Sequence, residues 1–216
     1  MTASTEFQFV TASYLTRIEN LSASNLTELY ECLDKASDPS IFCHTFQSLS
    51  RHHFLTEGFS NDFAQWVLAS LNRPALAERL GGLDIRDYVS LPELRGDIRR
   101  ITGDYCAAHP REAELTAFEP FHFCEAIEVT VPQSSATTLE EFREALLRAN
   151  HASFYYHFIS SRLRLQLKTN DFSHWFENAL GLDLLARRAN RIDVYTNTLD
   201  TAREELVGLI DREIVQ

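Results

Sequence analysis

Glycine and proline are scarce in this chain of 216 residues, with 7 and 6 respectively. A protein built of many strands and tight turns needs more of both, so the shortage points to long helices with few breaks. No run of about 18 apolar residues occurs, so no membrane-spanning helix is expected. The opening residues, MTASTEFQF, lack the basic start and apolar core of a signal peptide. Positive charge is also short: 20 Lys and Arg stand against 31 Asp and Glu, a formal net charge of −11. Non-specific binding to nucleic acid or to an anionic membrane surface needs a basic face, so neither is an expected partner. The four cysteines (Cys32, Cys43, Cys106 and Cys124) form no CxxC pair in a chain too long for a small disulfide scaffold. They read as reduced, mostly buried thiols of a cytoplasmic protein. There is no GxGxxG, no P-loop, no GxSxG, no HExxH and no Cys/His set with zinc spacing. No cofactor and no metal are therefore expected, and most common enzyme classes lose ground.

What the chain does have is a repeat. The apolar fraction is 44%, with 15 Phe and 7 Tyr, which is ample for a folded core. The stretch from Ser153 to Trp175, SFYYHFISSRLRLQLKTNDFSHW, repeats a rougher text that runs from Ser40 to Trp66. Ser153, His157, Ser161 and Arg164 each lie 113 residues after Ser40, His44, Ser48 and Arg51. Asn170, Asp171, Phe172 and Trp175 lie 109 residues after Asn61, Asp62, Phe63 and Trp66. The first copy thus carries four extra residues, which read as a longer loop near Gly58. Self-similarity at a fixed period is the mark of a duplicated unit.

Each copy opens on FxFxxA, at Phe7 to Ala12 and at Phe121 to Ala126, with period-two alternation continuing through Ile127, Val129 and Val131. A short strand is expected at each opening, with the two strands paired. Asn25-Leu-Thr-Glu28 and Thr138-Leu-Glu-Glu141 are matched capping boxes that start the first helix of each copy. The second helix carries the SxxxH text, and Asp38-Pro39 is a favoured helix entry. The third starts at Asn-Asp, with Phe63, Trp66 and Val67, or Phe172, Trp175 and Phe176, on one face. That spacing predicts that both tryptophans are core residues, each with its indole N–H on an Asp or a backbone carbonyl. Short fourth helices and last helices from Ser90 and Thr198 complete the copies.

Ser40, His44, Ser48 and Arg51 fall within an arc of roughly 80° on a helix, and so do Ser153, His157, Ser161 and Arg164. Three readings compete for these two polar stripes. In the first they are structural: each Arg pairs with Asp62 or Asp171, and the Ser and His residues complete a buried network. In the second the stripes face each other across a pseudo-twofold and gather two Arg and two His around a small anionic group. In the third, His44 and His157 are catalytic, as general bases or beside a Ser nucleophile. A metal version of the third would use His44, His157, Asp62 and Asp171 and needs both halves to converge. His52 and His53 have no counterparts and read as surface or loop residues.

The SIFCH…NDFAQW and SFYYH…NDFSHW blocks resemble an uncharacterised bacterial family of two-repeat proteins, a domain of unknown function. The resemblance runs from Phe7 to Ile214 and takes in Ile192-Asp193-Val194-Tyr195 with Thr198-Leu199. It implies the two-repeat architecture and a cytoplasmic bacterial setting, and it brings no activity or site residues. The expected fold is mainly α, in effect all-α: two tandem helical repeats related by a pseudo-twofold, with a minor short β element at the start of each. Residues 1–106 form the first repeat, 107–120 the junction and 121–216 the second, packed as one globular unit. The expected function is that of a non-enzymatic binding or regulatory protein, with a protein partner or a small anionic ligand at the repeat interface. The alternative is a hydrolase or transferase that uses His44 and His157 on a small anionic substrate.

Overall fold

A computed structural model describes residues 2–48, 59–193 and 198–215. Arg51, His52, His53, the extra residues near Gly58, and Val194 and Tyr195 lie outside the described residues.

Two long strands pair with each other, β1 (Thr2–Ala23) and β2 (Phe121–Thr138). The sheet is antiparallel. Consistent with that, Gln8 reaches the carbonyl of Ser134 while Arg17, further along β1, reaches Glu125, further back along β2. The strands are 22 and 18 residues long, so the minor short β element expected at each opening is a mistake, and all-α is the wrong label. The reason lies in burial. Phe7, Phe9 and Ala12, and Phe121 and Phe123, are buried, but from Ser13 to Ile18 and from Ile127 to Gln133 every residue is exposed or half-exposed. Alternation marks a strand only where one face is buried, so the middle of this ribbon is silent. Composition still carries it. β1 contains neither Gly nor Pro and is rich in Thr. Pro132 is tolerated in β2 because each strand of a two-stranded sheet has an open edge that needs no amide partner.

The chain forms two compact units whose boundaries fall inside both strands, Tyr14–Ile127 and Met1–Ser13 with Glu128–Gln216. In the unit Tyr14–Ile127 the α-helices among the described residues are α1 (Leu26–Lys35), α2 (Asp38–Phe42), α3 (Asp62–Leu71), α4 (Pro74–Gly81), α5 (Leu91–Ala108) and α6 (Pro110–Ala113). The Asn25 side chain caps α1 by accepting from the Glu28 amide, and the Glu28 carboxylate takes the Ser24 amide in return. Ser37, not Asp38, caps α2. Asp38 instead pairs with Arg95 of α5. The core is built of Leu29, Leu33, Phe46 and Phe63, with Phe121 of β2 stacked on Phe63 at 5.0 Å. The junction residues belong to this unit too: Ala117 and Phe118 donate their amides to the carbonyls of Ser24 and Ser70.

The other unit holds α7 (Leu139–Arg148), α8 (His151–Tyr155), α9 (Ser161–Leu165), α10 (Asp171–Asn178), α11 (Asp183–Ala189) and α12 (Leu199–Ile214). Its aromatic core comes partly from the beginning of the chain. Phe7 lies 5.1 Å from Phe142 and 5.7 Å from Trp175, and Phe9 lies 5.1 Å from Phe142. The FxF strand of each sequence copy therefore completes the core under the other copy's helices. Both tryptophans are buried, at 8% and 5% exposure. Trp66 donates its indole N–H to the Glu119 carbonyl, and Trp175 donates to that of Thr5.

The Tyr88 hydroxyl, from the loop before α5, donates to Asp97 of α5 at 2.7 Å, and Arg100 holds the same carboxylate at 2.9 Å. The Tyr88 hydroxyl and then Arg100 hold Asp97 below the usual carboxylate range, while burial and then Asp97 push Tyr88 up. A depressed Asp supplies stability above its ordinary value near 4 and loses it as pH falls through the lower folded value. A raised Tyr supplies stability below its ordinary value near 10 and loses it as pH climbs to the higher folded value. Asp97→Asn is expected to lower the melting temperature at neutral pH and to flatten its fall below about pH 4. An acid limb identical to that of the parent would contradict this.

A second expectation concerns fragments. Residues 1–112 contain the whole first copy but lack Phe121 and Phe123, whereas residues 14–127 contain every element of one compact unit. Residues 14–127 are expected to melt cooperatively in calorimetry and residues 1–112 are not. The reverse ranking would overturn the unit boundaries.

Candidate functional site

The polar stripes are set by helix caps. Asn61 caps α3 by accepting from the Ala64 amide at 2.9 Å, and Asn170 caps α10 by accepting from the Ser173 amide at 2.9 Å. With Asn at the cap, Asp62 and Asp171 are the first helical residues. There the positive end of the helix favours a carboxylate, and the side chain is free to bond elsewhere.

The His-bearing segments follow α2 and α8. Each passes into a π-helical turn, Cys43–Gln47 and Tyr156–Ser160, that carries His44 or His157. Such turns are uncommon and leave carbonyls poorly served. The Thr45 hydroxyl bonds back to the Ile41 carbonyl at 2.6 Å and the Ser160 hydroxyl to that of Tyr156 at 3.0 Å.

Both histidines are buried, at 5% and 4% exposure. His44 Nδ1 lies 2.9 Å from Asp62 Oδ2, and His157 Nδ1 lies 2.7 Å from Asp171 Oδ2. On the other side of each ring a strand arrives. The Cys124 amide of β2 donates to His44 Nε2 at 2.9 Å, and the Val10 amide of β1 donates to His157 Nε2 at 2.8 Å. A nitrogen that accepts an amide hydrogen carries none itself, so the ring proton sits on Nδ1 and is donated to the Asp. The rings are walled by Phe121 at 4.7 Å and Phe7 at 5.0 Å.

The remaining stripe residues divide between the copies. Ser48 donates to Asp62 Oδ1 at 2.6 Å. Ser161 accepts instead from the Asp171 amide at 3.3 Å. Arg164 pairs with Asp171, donates to the Tyr156 carbonyl at 3.2 Å and lies 3.6 Å over the Tyr156 ring. Ser40 and Ser153 are buried but take no part in either network, and their hydroxyls have no hydrogen-bond partner among the described residues. Each stripe thus lies within one unit, His44 with Asp62 and Cys124, and His157 with Asp171 and Val10.

These centres contain the residue types of a Ser–His–Asp triad without its geometry. A general base needs a ring nitrogen within reach of substrate, and here Nδ1 is held by the Asp and Nε2 by a main-chain amide. Beside His157 there is a cleft of about 280 Å³ lined by Thr5, Gln8, His174 and Asn178. Among the described residues no group of three or more His, Cys, Asp or Glu is arranged to hold a metal ion.

The groups that sequence reasoning did not reach are the amides of Val10 and Cys124. A main-chain donor leaves no signature in its side chain, and the only signal was the FxF text just before each of them.

The chain belongs to DUF5752, a family of unknown function, matched over residues 4–211. That span includes both His–Asp centres and both strand amides. The structure is similar to that of OrfY from Thermoproteus tenax, with 29% identity, a TM-score of 0.85, and coverage of 100% of this chain and 99% of that one. The chain matches no curated protein.

Removing a ring from such a centre leaves an unfilled space and a strand amide without its acceptor. His157→Ala is expected to cost about 2–5 kcal/mol in denaturant unfolding. It is also expected to speed hydrogen exchange at Val10 selectively. Unchanged exchange at Val10 would show that the ring does not hold the strand.

Proposed function

We propose that this is a non-enzymatic binding or regulatory protein of the cytoplasm, and that Ser48, His44 and Asp62, with Ser161, His157, Asp171 and Arg164, are structural. The observation that carries this reading is the occupation of His44 Nε2 and His157 Nε2 by the amides of Cys124 and Val10. Each ring is committed on both sides, and detaching a strand to free it would leave a buried amide unsatisfied. Four cysteines with no CxxC pair among them support a reducing compartment. The charge of −11 supports neither nucleic acid nor an anionic surface as partner. A protein partner, or a small anionic ligand, fits better.

Thermal-shift measurement against carboxylate and phosphorylated metabolites and divalent metals tests the reading, because a ligand of the native state raises its stability. A ligand at a hundredfold its Kd adds about 2.7 kcal/mol. The expected result is stabilisation by an anionic compound with no turnover of it. Turnover that vanishes in a folded His157 or His44 variant would overturn the proposal in favour of a hydrolase or transferase.

A further inference from the structure

The duplication allows one unit to be read against the other. In the unit Tyr14–Ile127, carboxylates gather at the cap of α2. The Ser37 hydroxyl lies 2.9 Å from Glu19 Oε1 and 2.8 Å from Glu125 Oε1, and Arg17 donates to Glu125 Oε2 from its Nε at 2.9 Å. Arg17, then Ser37, hold Glu125 below the usual carboxylate range.

The second copy has the same scaffold without the acids. Asn150 caps α8 as Ser37 caps α2. Thr11 follows Phe9 by two positions, as Glu125 follows Phe123. Thr11 and Asn150 are in contact, with Asn150 Nδ2 3.3 Å from Thr11 Oγ1, as Glu125 and Ser37 are in contact. The stretch Pro132 to Ser134 of β2 is the counterpart of β1 around Glu19. Where the first copy has carboxylates, the second has a cleft of about 370 Å³.

The cleft is prepared for an acceptor. No Asp or Glu lines it, and its one charged group is Arg148, which is exposed and has no hydrogen bond or ion pair among the described residues. Ser153 also lines it, buried, with a hydroxyl that has no partner among the described residues. Ser40, the counterpart of Ser153, is equally buried and equally unpartnered among the described residues, but in the first copy Glu19 and Glu125 stand at the cap of its helix. Arg148 also borders a neighbouring cleft lined by Glu140, Glu141 and Glu144, yet it forms no ion pair among the described residues, and with Ser153 on the same wall it offers donors to a carboxylate.

Resting on the reading of the chain as a binding protein, we infer that the cleft between β1, β2, α7 and α8 is a binding site for a small carboxylic acid. Its carboxylate takes the place that Glu125 and Glu19 hold in the other copy. Arg148 and Ser153 are its donors, and Thr11, Gln133 and Asn150 form its polar wall.

The test is an NMR titration of the full chain with propionate, which is a glutamate side chain without its backbone, and with glutarate and inorganic phosphate. Either carboxylate is expected to shift the amides of residues 133–134 and 150–153 in a saturable way. Arg148→Met is expected to weaken binding about tenfold or more, the share of a charge-assisted hydrogen bond. Arg148→Lys is expected to retain most of it. Thr11→Glu, which puts the first copy's carboxylate in this place, is expected to abolish binding, with its fold checked by the unshifted amides of residues 183–189 in the same unit. No localised shifts, equal affinity in Arg148→Met, or phosphate binding tighter than both acids would each overturn the inference. A stabilising metabolite that is indifferent to Arg148→Met would leave the binding reading intact and remove this cleft from it.

Discussion

A main-chain amide donating into a buried imidazole is the constraint on which the rest of this fold depends. The middle of the β ribbon has no buried face, so its strands are not held by apolar packing along their length. They are held where an FxF segment dives into an aromatic core, and at that point Val10 or Cys124 bonds to His157 or His44. An unsatisfied amide or imidazole at such depth costs about 1–3 kcal/mol, so the strand, the ring and the Asp behind it form a chain in which each member needs the next. Asn at the cap frees the Asp, the Asp fixes the ring proton on Nδ1, and that leaves Nε2 to accept the strand.

This arrangement explains why the same residue types survive in both copies while their details drift. Ser48 donates to a carboxylate and Ser161 accepts from an amide, yet both serve the Asp that serves the His. It also gives a set with the residue types of a catalytic triad a different geometry. A triad is recognised by geometry and roles, not by content, and both ring nitrogens are used in holding the chain together.

The copies have diverged most tellingly in charge. One cap region holds Glu19, Glu125 and Arg17 in a closed ion cluster, and the other holds Thr11, Gln133 and Asn150 around a cleft with Arg148 at its rim. Where one copy carries Glu125 and Glu19, the other carries Thr11 and Pro132 and has a cleft of about 370 Å³. Preformed, few and concave is how small-molecule sites are built.

Local order was legible in the amino-acid text. The caps at Asn25 and Thr138 could be read directly, and the starts at Asn61-Asp62, Ser90, Asn170-Asp171 and Thr198 to within a residue, because a cap is a contact between residues two or three apart. The buried faces of Phe63 and Trp66, and of Phe172 and Trp175, could be read from helical spacing, and the scarcity of Gly and Pro agreed with the helical content. Only the tertiary structure decided how far the strands run, since a ribbon exposed on both faces has no periodicity to read. It alone decided that Phe7 and Phe9 lie under the second copy's helices, because two similar copies present equivalent faces and a repeat does not say which strand serves which helices. It alone placed the Val10 and Cys124 amides on the imidazoles, because a backbone N–H is the same at every residue but proline, and only the fold selects which one meets a buried acceptor.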